Sequence, residues 1–184
     1  MVSIPAPADI LERKPSRAWK ISPDLVAMLG DNLLGADGEK MKVEHLARYE
    51  FIGIYFGGSF NVHCKEFVDK LKTFYRIMKK AESPDSLEVI YGSVEDNESQ
   101  YREQVKDMPW CRFPHGDPII KNIRKSRLNL SGSPRLVVIQ TKTNHIVDTD
   151  DRKFIACEPK EVFKMWRKEC ESANDHAYVP TGSG

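Results

Sequence analysis

The sequence predicts a three-layer α/β sandwich, a central mixed β-sheet with helices on both faces. Three observations lead there. Ile52, Gly53, Ile54, Tyr55 and Phe56 make a β-branched and aromatic run that breaks at Gly57-Gly58-Ser59. A helical pattern follows, with Cys64, Phe67, Val68, Leu71, Phe74 and Tyr75 on one face. A second strand follows at residues 87–94, and a helix between two neighbouring strands requires a parallel crossover. Residues 135–141 and 145–149, separated only by Lys142-Thr143-Asn144, require antiparallel pairing, so the sheet is mixed.

Composition narrows the class. The chain has 184 residues, the usual size of one domain with short extensions, which sets the expected division: an N-terminal arm (1–22), one domain (23–174) and a tail (175–184). With 28 basic and 27 acidic side chains the formal charge is +1, so no global field draws nucleic acid or an anionic membrane. No apolar run approaches the ~20 residues of a membrane span, and prolines interrupt the N-terminus where a secretory signal needs a continuous apolar core. A soluble, cytoplasmic protein is the expectation. Four dispersed cysteines (Cys64, Cys111, Cys157, Cys170) suit reduced thiols rather than a disulfide scaffold.

Taken in order, residues 1–22 are rich in Pro, Ser and charge, an arm that packs only through Ile10, Leu11 and Trp19. Between Leu25 and Leu46, Gly30-Asp31-Asn32 and Gly35-Ala36-Asp37-Gly38 separate short apolar pieces. These turn signals predict a β-hairpin leading to the strand at 49–56. The helix after Asn61 ends near Ala81, because Ser83-Pro84-Asp85 stops it. Past the second strand, Glu95-Asp96-Asn97-Glu98 suits a helix start, with Tyr101 and Val105 as its buried face and Met108-Pro109-Trp110 as its end. Ile119, Ile120, Ile123 and Leu128 predict a short apolar helix face. Lys121, Arg124, Lys125 and Arg127 around it read as solvated cations, since no aromatic platform for bases is interleaved. Pro159 suits a first helical position, and Val162, Phe163, Trp166 and Cys170 share one face of the last helix.

Three segments carry a resemblance. Tyr55-Phe56-Gly57-Gly58-Ser59-Phe60-Asn61-Val62-His63-Cys64 is similar to the YFSASWCPPC segment of tryparedoxins and nucleoredoxins. Lys106-Asp107-Met108-Pro109-Trp110 resembles the K-M-P-W of that family. Gly132-Ser133-Pro134-Arg135-Leu136-Val137-Val138-Ile139 resembles its I-P-T-L-V-V-I. In the right order, they imply a thioredoxin-like fold over roughly residues 41–149. The matching also exposes departures. Asn61 stands where the family has its attacking cysteine, and Cys64 keeps the resolving position. Val62 and His63 replace two prolines, Val94-Glu95-Asp96 replace Trp-Asp-Glu, and Arg135 replaces a threonine. Pro134 matches the family's cis-proline, whose loop lends backbone groups to an extended peptide. Without the resemblance it is a proline at the first residue of a strand.

Disulfide reduction in such a site needs an attacking thiolate and a second thiol that releases the mixed disulfide. Asn61 supplies no sulfur; asparagine there is a good helix N-cap. Cys64 then reads either as a core thiol on the apolar helix face or as a monothiol site favoured by the helix dipole and a charged His63. A pair with Cys111 is a further alternative, if the two approach closely enough. His63, Cys64, Cys111 and His115 match no zinc signature, and neither metal nor cofactor is expected. The resemblance implies a groove for a polypeptide partner lined by Phe60, Asn61, Val62, His63, Trp110, Ser133, Pro134 and Arg135. Two other functions compete: a slow disulfide oxidoreductase using Cys64, and a subunit role in which Trp19, the arm and the last helix dock. The oligomeric state is open.

Overall fold

Every residue of strand β1 (Phe51–Gly57) is buried, so the strand has no polar face to give to water and both of its sides must be covered. Ile54 lies opposite Ile90 of β2 (Leu87–Ser93), which runs parallel to β1. It also lies opposite Val137 of β4 (Arg135–Gln140), which runs antiparallel. Short strands complete the sheet, β3 (Cys111–Arg112) beside β2 and β5 (Ile146–Asp148) beside β4, in the order β3-β2-β1-β4-β5. These relations belong to a computed structural model that describes residues 20–148 and 157–177. The arm with Ile10, Leu11 and Trp19, the end of the tail and Thr149 lie outside the described residues.

Alternation along β1 sorts the core into two clusters. Phe51 and Tyr55 face helices α2 (Val62–Ala81), α3 (Glu98–Val105) and α5 (Pro159–Ala177). Phe67, Leu71 and Phe74, Tyr101 and Val105, and Phe163 and Trp166 fill that side. Phe51 meets the Phe163 ring edge-on at 5.3 Å between centroids. Ile52, Ile54 and Phe56 face the other way, onto α1 (Pro23–Leu29), a 3-10 turn (Val43–Arg48) and α4 (Pro118–Asn122), which runs on as a π turn (Ile123–Arg127). The three-layer α/β sandwich with a mixed sheet is the architecture found.

The region before β1 differs from the expected hairpin. Pro23 sits in the first turn of a helix whose buried residues are Leu25, Met28 and Leu29, a spacing of three and four that serves a helix face rather than a strand. The turn at Gly35 to Gly38 does form, but its arms shrink to one antiparallel bridge, Leu34 to Lys40. Leu34 bridges Arg112 as well, so this loop pairs with the outer side of β3 and covers an otherwise open edge. Strand β3 has two residues, too few to leave a pattern in the sequence.

At the end of the sheet away from the Gly57 turn, the Lys79 ammonium lies 4.5 Å from the Tyr49 ring centroid and 4.8 Å from that of Tyr75. It donates to the Pro84 carbonyl at 2.8 Å, and Glu88 Oε2 lies 3.7 Å away. The Tyr75 hydroxyl donates to Glu88 Oε1 at 3.1 Å. Burial, reinforced by the Glu88 charge, holds the Tyr49 and Tyr75 hydroxyls well above the ordinary tyrosine value. Burial pulls Lys79 below its ordinary value.

These shifts set an alkaline limit. A raised tyrosine contributes stability that is present below pH ~10 and lost above it, because the unfolded chain ionises first; each such residue gives a slope of about −1.4 kcal/mol per pH unit. Lys79 has the opposite sign, but only until the ordinary lysine value near 10.4. Circular dichroism against pH should therefore show unfolding above about pH 10.5, with tyrosinate absorbance rising in the same step. Tyr49→Phe should move that step to higher pH, and tyrosinate appearing ahead of unfolding would refute the assignment.

Candidate functional site

Strand β1 delivers its last residue, Gly57, to a turn that leads into α2, and two glycines allow the passage. A Cβ on Gly57 would lie 2.1 Å from the Tyr55 hydroxyl, and one on Gly58 would lie 2.5 Å from the Phe60 ring and 3.0 Å from Glu95 Oε1. The turn is packed against what lies beneath it. Tyr55 donates to the Cys64 carbonyl at 3.4 Å, and Tyr91 donates to the Gly57 carbonyl at 3.0 Å.

A buried carboxylate anchors the turn from the side. Glu95 Oε1 accepts the Ser59 backbone N–H and, at 2.7 Å, the Gln104 side-chain amide. The Glu95 carbonyl meets His115 Nε2 at 3.0 Å. Burying a carboxylate is costly unless it is well hydrogen-bonded, and these donors offset that cost by fixing the backbone at Ser59. Sequence reasoning read Glu95 as part of a helix start and as a departure from the family's Trp-Asp-Glu, without giving it this anchoring role, and passed over Gln104, Tyr55 and Tyr91 as site groups. The one signal was positional: Tyr55 and Tyr91 lie side by side in the β1–β2 register.

At the start of α2, Asn61 Oδ1 accepts the His63 N–H at 2.8 Å, an N-cap. Its Nδ2 donates across the groove to the Ser133 carbonyl at 3.4 Å. The Ser133–Pro134 peptide bond is cis. Asn61 thus links the β1–α2 turn to the loop before β4. Phe60 and Val62, on either side of it, are 63% and 65% exposed, while Cys64 is 1% exposed. His63 is exposed, and Ser133, Pro134 and Arg135 are half-buried on the opposite lip. Arg135 donates to the Ser131 carbonyl at 3.0 Å, and Arg124 donates to the Gly132 carbonyl at 2.8 Å while its guanidinium lies over the Phe56 ring. Arg124 is a further residue that sequence reasoning missed here, having placed it on a solvated helix face.

The structure does not bring Trp110 to this groove. Its indole is 1% exposed and packs edge-on against Tyr75 inside the core, so it presents no surface to a partner. Nor does it pair Cys64 with Cys111. Both are free, and Cys111 belongs to the cluster on the face opposite α2. Burial raises the Cys111 thiol well above its ordinary value and pushes Cys170 up to about 11. Cys157 is exposed. Among the described residues no group of three or more His, Cys, Asp or Glu side chains gathers as a metal site.

This architecture has known counterparts. Tryparedoxin I from Crithidia fasciculata superposes with a TM-score of 0.64 at 23% identity, covering 74% of this chain and 92% of that one. Tryparedoxin from Trypanosoma brucei gives 0.62 at 22%, covering 71% and 90%. In sequence, nucleoredoxin from Danio rerio is 29% identical over 148 residues, 79% of this chain and 35% of that protein. Probable nucleoredoxin 2 from Oryza sativa subsp. japonica is 30% identical over 108 residues, 59% and 27%. The chain spans about a third of the length of the curated relatives it matches. Residues 49–146, more than half of the chain, match the family described as thioredoxin-like. The chain belongs to the thioredoxin-like family, and its similarity runs to the nucleoredoxins and tryparedoxins within it.

The two bonds of Asn61 can be separated. Asn61→Ala removes both and should lower stability by about 1 kcal/mol. Asn61→Asp keeps the capping oxygen but sets a carboxylate oxygen against the Ser133 carbonyl. It should hold the helix while amide exchange at Ser133 and Arg135 accelerates. Unchanged exchange in Asn61→Asp would show that the amide does not hold the loop.

Proposed function

We propose that this thioredoxin-like chain binds a polypeptide partner along the groove between Phe60–His63 and Ser133–Arg135, and does not catalyse disulfide reduction. One observation carries the reading: the attacking position is Asn61, and the one thiol left in the motif, Cys64, is 1% exposed. Reduction of a substrate disulfide begins with a thiolate reaching one sulfur of the pair, and a carboxamide cannot take that place. A thiol packed below the surface does not meet an incoming disulfide either.

What remains suits binding. Phe60 and Val62 offer apolar surface on one lip. The cis peptide at Pro134 and the start of β4 offer backbone groups on the other, as in strand addition. The resemblance to nucleoredoxins and tryparedoxins, which implies a loop at the cis-proline that lends backbone groups to an extended peptide, supports placing a polypeptide there. Ser59 to His63 are held in shape by Glu95 and by the Asn61 cap before any partner arrives, which lowers the ordering cost of association.

An insulin reduction assay with excess dithiol tests the chemistry. The chain should give only the uncatalysed rate, and Cys64→Ser should not change it. Asn61→Cys, which restores two thiols at the motif spacing, should raise the rate at least tenfold. Turnover by the unaltered chain that vanishes in Cys64→Ser would overturn the reading and establish a monothiol enzyme.

A further inference from the structure

Some cations of the chain are matched to carboxylates, among them Arg48 to Asp85, Lys79 to Glu88, Arg102 to Glu98, Lys164 to Glu161 and Arg167 to Glu50. One segment holds cations and no carboxylate at all. Between Asp117 and Asp148 there is no Asp or Glu, while Lys121, Arg124, Lys125, Arg127, Arg135 and Lys142 fall there. Lys121, Arg124, Lys125 and Arg127 make no salt bridge with any carboxylate among the described residues. Arg127 is drawn away, lining a concavity with Asp24 and Ile139. Arg124 is held at the groove, its guanidinium fixed by the Gly132 carbonyl two residues before Pro134. Lys121 and Lys125 are exposed on the same helical segment.

The partner-binding lip of the groove therefore ends in uncompensated positive charge, and the opposite lip ends in the exposed apolar pair Phe60 and Val62. We propose that the partner is an acidic polypeptide segment. It places an apolar side chain against Phe60 and Val62, and carboxylates downstream or upstream of it against Arg124, Lys125 and Lys121. Charge complementarity selects this occupant. A nucleic acid fits less well, because binding a strand uses several aromatic platforms along a basic track, and here one exposed ring, Phe60, stands at the opposite lip. The proposal rests on the groove reading above and adds the chemistry of its occupant.

A random-peptide display library panned on the full chain tests it without a known partner. Enriched sequences should combine Asp or Glu with a Leu, Ile, Val or Phe a few positions away. The best labelled peptide should bind about tenfold more weakly to Arg124→Gln/Lys125→Gln, and more weakly as salt rises. Phe60→Ser should weaken it as well. Because Arg124 lies over the buried Phe56 ring and holds the Gly132 carbonyl, Lys121→Gln/Lys125→Gln, which changes only exposed side chains, should weaken the peptide in the same direction with an unchanged circular dichroism spectrum, so loss of fold does not mimic the result. Enrichment of Lys or Arg, no enrichment, or a labelled single-stranded oligonucleotide binding more tightly than the peptide would overturn the proposal. Acidic peptides that bind through the cations but ignore Phe60→Ser would retain the acidic site and remove the groove. Apolar peptides that need Phe60 but ignore the charge variant would retain the groove and remove the acid preference.

Discussion

Strand β1 is paired along almost its whole length on both sides, parallel to β2 and antiparallel to β4, and the rest of the molecule depends on this double ladder. Two ladders fix its register twice over, and a slip of one residue would exchange the contents of the two core clusters. Because the register is fixed, the point at which β1 stops is fixed as well. Gly57 emerges opposite Ser93, one residue past the Phe56–Arg135 pair, so the turn, the Glu95 loop and the loop before β4 meet at one end of the sheet. The groove is thus a product of strand pairing, and its lips are the short connections at the ends of neighbouring strands.

The polar groups at that end complete what pairing starts. Glu95 is buried and meets the Ser59 N–H and the Gln104 amide, while the single Tyr91 hydroxyl hydrogen is shared between the Gln104 side-chain oxygen and the Gly57 carbonyl. Such a network is worth having only when each member is satisfied, and it then favours one backbone path over others. The two glycines follow from it: the turn lies so close to Tyr55, Phe60 and Glu95 that side chains at Gly57 and Gly58 would collide.

Much of this architecture is legible in the sequence. Continuous apolar runs announced β1, β2 and β4, and the spacing of Phe67, Leu71 and Phe74 or of Val162, Phe163 and Trp166 announced the long helices, because burial repeats with the period of the element. The 25–46 region misled because Gly and Asp mark the ends of short helices as readily as hairpin turns, and only Pro23 told them apart. Of the site, residues contiguous with the motif were readable. Glu95, Gln104 and Arg124 were not, since their roles come from hydrogen bonds across the fold that no local pattern records. Trp110 shows the converse: a residue near a motif in a familiar string can belong wholly to the core.

The bridge from Asn61 to Ser133 has a consequence for the setting in which the chain works. A dithiol site alters its shape and charge as it passes between reduced and oxidised forms, so what it holds depends on the glutathione balance around it. An amide donating to a carbonyl is indifferent to that balance. The bond between the two lips is therefore the same in a reducing or an oxidising compartment.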